Sequence, residues 1–463
     1  MRVVFIGGGS FRTLPIVRAA MREPRVFEGG EIRLVDCNLA RAETVASLIW
    51  QMPEARRCRF KVSCTDRLDR ALPGADLVSV SFPVGSPPVL ALSDWASRRQ
   101  GFLSSDQLSV SGAFRALTGG PLILDFARKM ERHCPKAWLT IFANPVAVYS
   151  GMVNNHTRIR ALGICGGFAN HRWDLSRLMG HDEYSEAFEV SVAGVNHLSF
   201  ILRGTCRGRD LYRVVPRHLK RGWKPPRIVT FPRAEKSIRQ GLRRMVDTYR
   251  RFGYFIFSTE GDGMAHLYPE DLWPRPDPRL PRPSPARLRA ETNAGLRSRA
   301  EADRKFAEMA RSGVTAARWK GTFSQEPWLA PAVGDVLVLV MQALSGARKV
   351  KFVASRPADG AVAGFKPRTV VEYSLTMDRA GVHPDRDLEV PDCFQGLISS
   401  LATHQTLLGD AVATGDPKLF ADALQSYPVH RGTRRSFDLF RELLEIHAPE
   451  IPPVFRKAAD YLG

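Results

Sequence analysis

The 463-residue chain has no uninterrupted apolar run approaching roughly 18 residues, which excludes an ordinary membrane-spanning helix. Cysteine is sparse: Cys37, Cys58, Cys64, Cys134, Cys165, Cys206 and Cys393 are odd in number and never form a CxxC pair. Such scattered thiols exclude a disulfide framework and a closed structural zinc site, and they fit a reducing cytoplasm. The opening apolar run, Val3–Ile6, ends in glycines with no small-residue cleavage site, so a cytoplasmic rather than secreted protein is expected. Acidic residues are the minority charge, 47 against 67 Lys and Arg, leaving +20. The excess is mostly arginine, spread along the chain and densest over 203–244 and 275–304, with no motif that reads DNA or RNA. A solvated basic surface is the first reading. Attraction of an anionic substrate, such as a uronate or a phosphorylated sugar, is the second. Neither nucleic acid nor membrane is expected as a partner.

What is present is the composition of an ordinary globular protein, 44% hydrophobic and 25% charged, long enough for two to three domains. Over the first 150 residues, apolar runs alternate with helically spaced segments. Strands are expected at Val3–Ile6, Glu31–Val35, Phe60–Ser63, Leu77–Ser81 and Trp138–Phe142, and helices at Phe11–Met21, Leu39–Gln51, Asp66–Leu72 and Pro121–Cys134. That alternation predicts an α/β fold with a Rossmann-like, doubly wound parallel sheet over residues 1–160. A mixed α/β part follows over 161–463. Its expected strands are Ala161–Ile164, Phe188–Val195, Val350–Val353 and Val370–Met377. Its expected helices are Arg233–Phe252, Asp335–Leu344, Gly396–Gly409 and Arg434–Ile446. Six prolines between Trp273 and Pro285 predict an extended surface excursion. No internal repeat is present.

Gly7-Gly8-Gly9-Ser10 ends the first strand and precedes a helix, the context of a dinucleotide site. Glycines admit a pyrophosphate close to the backbone, and the helix N-terminus offers it free N–H groups. The spacing is not a strict GxGxxG, because Arg12 holds the last position, and a tight turn in another α/β fold has the same appearance. Asp36, ending the second strand, favours NAD over NADP by accepting from the adenosine ribose. Asn144, before Pro145, either starts a turn or faces the ligand crevice from the end of its strand. Cys165 and His197 each end a strand. They are either a buried thiol and a core histidine or two ligands of a divalent cation such as Mn²⁺. The loop after Phe252-Gly253-Tyr254-Phe255 gathers Glu260, Asp262, His266 and Tyr268, a density of titratable groups that marks either a catalytic loop or a plain surface one.

Taken together, Ile6–Ser10, Leu34-Val35-Asp36, Cys134-Pro135, Asn144-Pro145, Gly163-Ile164-Cys165, Gly194–Leu198 and Arg251–Phe255 resemble glycoside hydrolase family 4, the NAD- and divalent-metal-dependent glycosidases. The last stretch is most similar to the branch containing α-galactosidases and α-galacturonidases. The resemblance implies oxidation of sugar carbon 3 by NAD, deprotonation of carbon 2, elimination of the glycosidic oxygen, addition of water, and return of the hydride. It implies Gly7, Gly8, Gly9, Ser10 and Asp36 as NAD ligands, Cys165 and His197 as ligands of Mn²⁺, and Asn144 and Asn196 as substrate contacts. Tyr268 is implied as the base, or His266 under a shifted alignment. It also implies a homodimer or homotetramer built through the second part.

Some positions depart from the family pattern. Gly166 and Gly167 follow Cys165, where the family carries Asn or Asp. No arginine stands in Pro88–Leu92, Ser105-Asp106 replaces a Gln-Glu pair, and Met264 and Leu267 replace a His and a Glu. Asp106, Asp262 or His266 is then left to donate a proton to the leaving group. The retained redox and metal positions, with altered leaving-group positions, predict an NAD- and Mn-dependent glycosidase of an α-linked sugar, neutral or anionic. A sugar oxidoreductase or epimerase that leaves the glycosidic bond intact is the alternative, and a non-catalytic NAD sensor comes third.

Overall fold

A computed structural model describes residues 1–429 and 433–462. Its spine is a 12-stranded sheet. The first six strands are β1 (Arg2–Ile6), β2 (Gly30–Val35), β3 (Phe60–Thr65), β4 (Leu77–Val80), β5 (Trp138–Ile141) and β6 (Arg160–Gly163). They pair in parallel in the order β3-β2-β1-β4-β5-β6, with Val3 beside both Ile32 and Leu77. β1, β4 and β5 are buried almost throughout because helices cover both faces, which is why they read as continuous apolar runs. The order reverses at β1 and β4, and the ends of these strands open the crevice in which such sheets bind ligands.

The sheet does not stop there. β7 (Phe188–Val195), β8 (Leu198–Cys206), β9 (Arg209–Asp210), β10 (Val350–Pro357), β11 (Val370–Asp378) and β12 (Gly381–Pro384) extend it with antiparallel pairing. β10 joins β6 through Ser355 and Gly163, and β7 joins β11 through Gly194 and Glu372. β7 and β8 form a hairpin whose two-residue turn is Asn196-His197.

Several helices differ from expectation, among them Pro87–Arg99, Val146–His156 and Gly167–Leu178, where none was expected, and two long ones. The segment expected to be helical from Pro121 is helical from Val110 to His133, with Pro121 inside it. Ser109 caps its start, its Oγ accepting from Gly112 N at 3.0 Å. Gly112, Gly119 and Gly120 had masked the helical pattern in the sequence. The proline-rich excursion gives way at Pro285 to a helix reaching Ser312 that was not anticipated. Only Phe306 and Met309 of this helix are buried, so it has almost no apolar stripe to read. Phe306 stacks on Phe11 with centroids 3.6 Å apart and sets the helix beside the crevice. Among the described residues, no helix is long and apolar enough to cross a membrane.

Candidate functional site

At the switch point the chain leaves β1 through Gly7, whose φ is +82°. A Cβ there would lie 2.1 Å from the Ser81 carbonyl oxygen, so only glycine fits between the two strand ends. Gly9 N donates to Asp36 Oδ2 at 2.9 Å, and Asn38 N donates to Asp36 Oδ1 at 2.9 Å. Each carboxylate oxygen therefore keeps acceptor capacity for a hydroxyl in the crevice. Arg12 turns away from the glycine loop, stacking 3.6 Å over the Phe142 ring and pairing with Asp335 at 2.7 Å. Gly7, Ser10, Asp36 and Asn144 line one cleft of about 780 Å³, large enough for an extended dinucleotide. A bare glycine turn, a helix start and a carboxylate wall fit NAD.

Asp106 lines this cleft and also a second one of about 370 Å³, bounded by Ser104, Ser105, His197, Glu260 and Asp262. The Asn144 amide sits at the junction. Its Nδ2 donates to Asp106 Oδ2 at 2.6 Å, and its Oδ1 accepts from Gln107 Nε2 at 2.7 Å.

His197 lines the second cleft, and its Nε2 lies 3.6 Å from Cys165 Sγ. A cation at ordinary Zn–S and Zn–N bond lengths holds its two ligand atoms about 3.1–3.6 Å apart between right-angle and tetrahedral geometry. Gly167 N–H donates to Cys165 Sγ at 3.3 Å and orients the sulfur. His197 has φ +68°, a left-handed conformation that its place in the hairpin turn imposes. Its Nδ1 pairs with Asp262 Oδ1 at 2.8 Å, so in the neutral ring the lone pair is on Nε2, toward Cys165. Burial disfavours the imidazolium, but the Asp262 carboxylate overrides it and holds the His197 pKa well above its ordinary value. Among the described residues, no group of three or more His, Cys, Asp or Glu side chains is placed to hold a metal ion. The donor set fits a divalent cation that takes its remaining ligands from water or substrate oxygens.

The other sequence candidates divide. Asp262 is in the pocket but is already engaged. Besides His197 it accepts from Gly263 N at 2.9 Å and Ser105 Oγ at 2.7 Å. Burial opposes its ionisation, yet His197 and these donors hold its pKa far below the carboxylate range, so it is not a proton donor. His266 is not free either. Its Nδ1 donates to the Asp262 carbonyl at 2.9 Å, and its Nε2 contacts Tyr427 Oη at 3.0 Å. Burial lowers its pKa.

Tyr268 is not brought to the metal pair. Its hydroxyl meets Thr248 Oγ1 at 2.8 Å, Asp247 Oδ2 at 2.9 Å and the Arg244 carbonyl at 3.0 Å, all on the helix Glu235–Phe252. Burial, aided by Asp247, pushes its pKa up to about 12. Asn196, the first turn residue of the hairpin, falls back onto the sheet and donates to the buried Glu372 at 2.7 Å.

Sequence reasoning missed Gln107, and it did not assign His171, Glu260 or Glu372 to the site. Glu260 Oε2 accepts from Ser258 Oγ at 2.6 Å and lies 3.3 Å from His171 Nε2, while its Oε1 makes no hydrogen bond among the described residues. Burial opposes ionisation of Glu260, but His171, His197 and the Ser258 hydroxyl together outweigh it and hold its pKa below the ordinary value. Only the fold joins His171 and Glu260, so no sequence spacing announced the pair.

Comparison with known proteins agrees with this geometry. Residues 2–180 match Family 4 glycosyl hydrolase, and residues 192–429 match its C-terminal domain. An α-galactosidase of Bacillus subtilis is 26% identical over 273 residues, 58% of this chain and 59% of that protein. An α-galacturonidase of Thermoanaerobacterium saccharolyticum is 21% identical, with 96% of this chain and 95% of that protein covered. The crystal structure of a 6-phospho-α-glucosidase from gut microorganisms, in complex with NAD and Mn²⁺, superposes with a TM-score of 0.78 at 18% identity, covering 97% of this chain and 99% of that one. With both halves of the chain matched in order, the protein belongs to glycosyl hydrolase family 4.

Proposed function

We propose that this protein is an NAD- and Mn²⁺-dependent glycosidase of an α-linked, anionic sugar, acting through oxidation at carbon 3 and deprotonation at carbon 2. The observation that carries the reading is the convergence of Cys165 Sγ and His197 Nε2 at 3.6 Å, with His197 lining the pocket of Glu260, which shares Asp106 with the cleft of Asp36. When bound, NAD supplies a hydride acceptor and the divalent cation a Lewis acid that polarises a sugar carbonyl.

The residues of the chain supply the rest. Gly7–Ser10 and Asp36 hold the dinucleotide, and Cys165 and His197 hold the cation. Asp262 fixes the His197 tautomer through Nδ1, and Asn144, oriented by Asp106 and Gln107, positions the sugar hydroxyls. We assign the base at carbon 2 to Glu260 instead of Tyr268 or His266. Its Oε1 is unbonded, its carboxylate is ionised, and His171 behind it stabilises the charge.

The oxidoreductase reading draws on a different observation. Gly166 carries no proton donor, and Asp262 is held deprotonated, so Asp106 is the one remaining sequence candidate for donation to a leaving group. Incubation with NAD, Mn²⁺ and a panel of glycosides and free sugars in D₂O separates the two. Deuterium at carbon 2 with aglycone release is expected, and Glu260→Gln is expected to abolish both. Deuterium or net NADH without aglycone release establishes the oxidoreductase. Full exchange in Glu260→Gln overturns the assignment of the base.

A further inference from the structure

Beside the helix Gly167–Leu178, at Phe168 and Arg172, lies a third cavity, of about 180 Å³, that shares no lining residue with the two clefts. Its lining includes Arg172, Arg348, Lys349 and Lys351, with Glu186 and Glu189 as the only carboxylates. Arg172 is the unusual member. It is 8% exposed, and among the described residues its only hydrogen bond is from Nη1 to Tyr184 Oη at 3.1 Å. Its Nε is buried with no partner, and no described carboxylate lies within ion-pair distance. The Phe168 and Tyr184 rings flank the guanidinium at 5.6 and 5.4 Å, holding it in place without neutralising it.

Of the other cations, Arg348 approaches the exposed Glu186 only at 3.9 Å, and Lys351 is taken by Asp385 at 2.7 Å. Lys349 is exposed and has no ion pair among the described residues. A buried guanidinium with unused donors is costly unless an anion meets it, and its planar fork suits a tetrahedral oxyanion. We infer that this cavity is a binding site for a small phosphate-type oxyanion, separate from the catalytic clefts. The outer edge of the Arg172 guanidinium, at Nη2, meets the anion, and Lys349 lines the same cavity.

Calorimetric titration of the full-length protein with inorganic phosphate, at ionic strength held constant with chloride, tests this. One saturable site is expected in the wild type. Arg172→Met is expected to weaken it roughly tenfold or more, the scale of losing charge-assisted hydrogen bonds. Lys349→Glu changes an exposed residue whose loss leaves folding intact, and it is expected to weaken binding several-fold. His197→Ala is expected to leave binding unchanged. Absence of saturable binding in the wild type overturns the inference. So does unchanged binding in Lys349→Glu, or binding lost in His197→Ala and retained in Arg172→Met, which would place the phosphate in the catalytic pocket.

Discussion

At the scale of single residues, the site is built from side chains whose partners decide their roles. Asp36 keeps acceptor capacity on both oxygens, so Asp36→Ala is expected to weaken NAD binding by about 1.5–3 kcal/mol, the range for a hydrogen bond to a charged group. Fluorescence titration with NAD and NADP checks it, and equal affinity of the wild type for both dinucleotides would remove Asp36 from that role. Asp262 works through His197 instead of touching a ligand. Asp262→Asn keeps the shape and loses the charge that orients the Nδ1–H. Mn²⁺ affinity, measured by chelator competition, is expected to fall about 10–100-fold, the usual cost of losing such an outer partner. Unchanged affinity would mean that His197 is held by the turn alone.

At the scale of elements, the hairpin of β7 and β8 presents His197, and the loop carrying Asp262 packs directly beneath it. A Cβ on Gly263 would lie 1.7 Å from the His197 carbonyl oxygen, whereas one on Gly261 would meet nothing within 4 Å. Gly263→Ala is therefore expected to destabilise the protein by about 1–3 kcal/mol and to weaken Mn²⁺ binding, with Gly261→Ala as the control that does neither. Urea midpoints of the two variants decide it, and equal midpoints would show that the loop moves freely away from the turn. The same hairpin marks the limit of what the sequence conveys. Apolar runs located β1, β4, β5 and β7, and the glycine turn and Asp36 pointed to one cleft that both line, because these signals are local in the chain. The pairing of His171 with Glu260 and the engagement of Tyr268 by Thr248 and Asp247 arise when distant elements pack, and no spacing encodes them. The helix Pro285–Ser312 stayed unread because a polar, largely exposed helix has no stripe to detect.

At the scale of the whole molecule, one sheet runs from β3 to β9, and the helix Asp392–Thr414 packs on the helices Val110–His133 and Val146–His156. The C-terminal helices therefore close over the N-terminal layer, and they bury two histidines in doing so. His404 donates from Nδ1 to the Ala423 carbonyl, and burial lowers its pKa to about 4. His447, 1% exposed and stacked on Phe114 with centroids 5.2 Å apart, has no hydrogen bond on either ring nitrogen among the described residues, and burial lowers its pKa to about 3. In the unfolded chain both take up a proton near pH 6.5. As pH falls from there toward 3–4, the unfolded state binds protons that the folded state refuses, so stability drops by up to about 1.4 kcal/mol per pH unit for each imidazole. Below the folded values this contribution levels off. His447→Phe keeps the stacking and removes one titrating group. Its stability at pH 7.5 is expected to match or exceed the wild type, and its acid limb, followed by urea unfolding between pH 6.5 and 4, is expected to be shallower by about that amount. An acid limb as steep as the wild type's would mean that His447 escapes its pocket before it protonates, and that the C-terminal helices open ahead of the sheet.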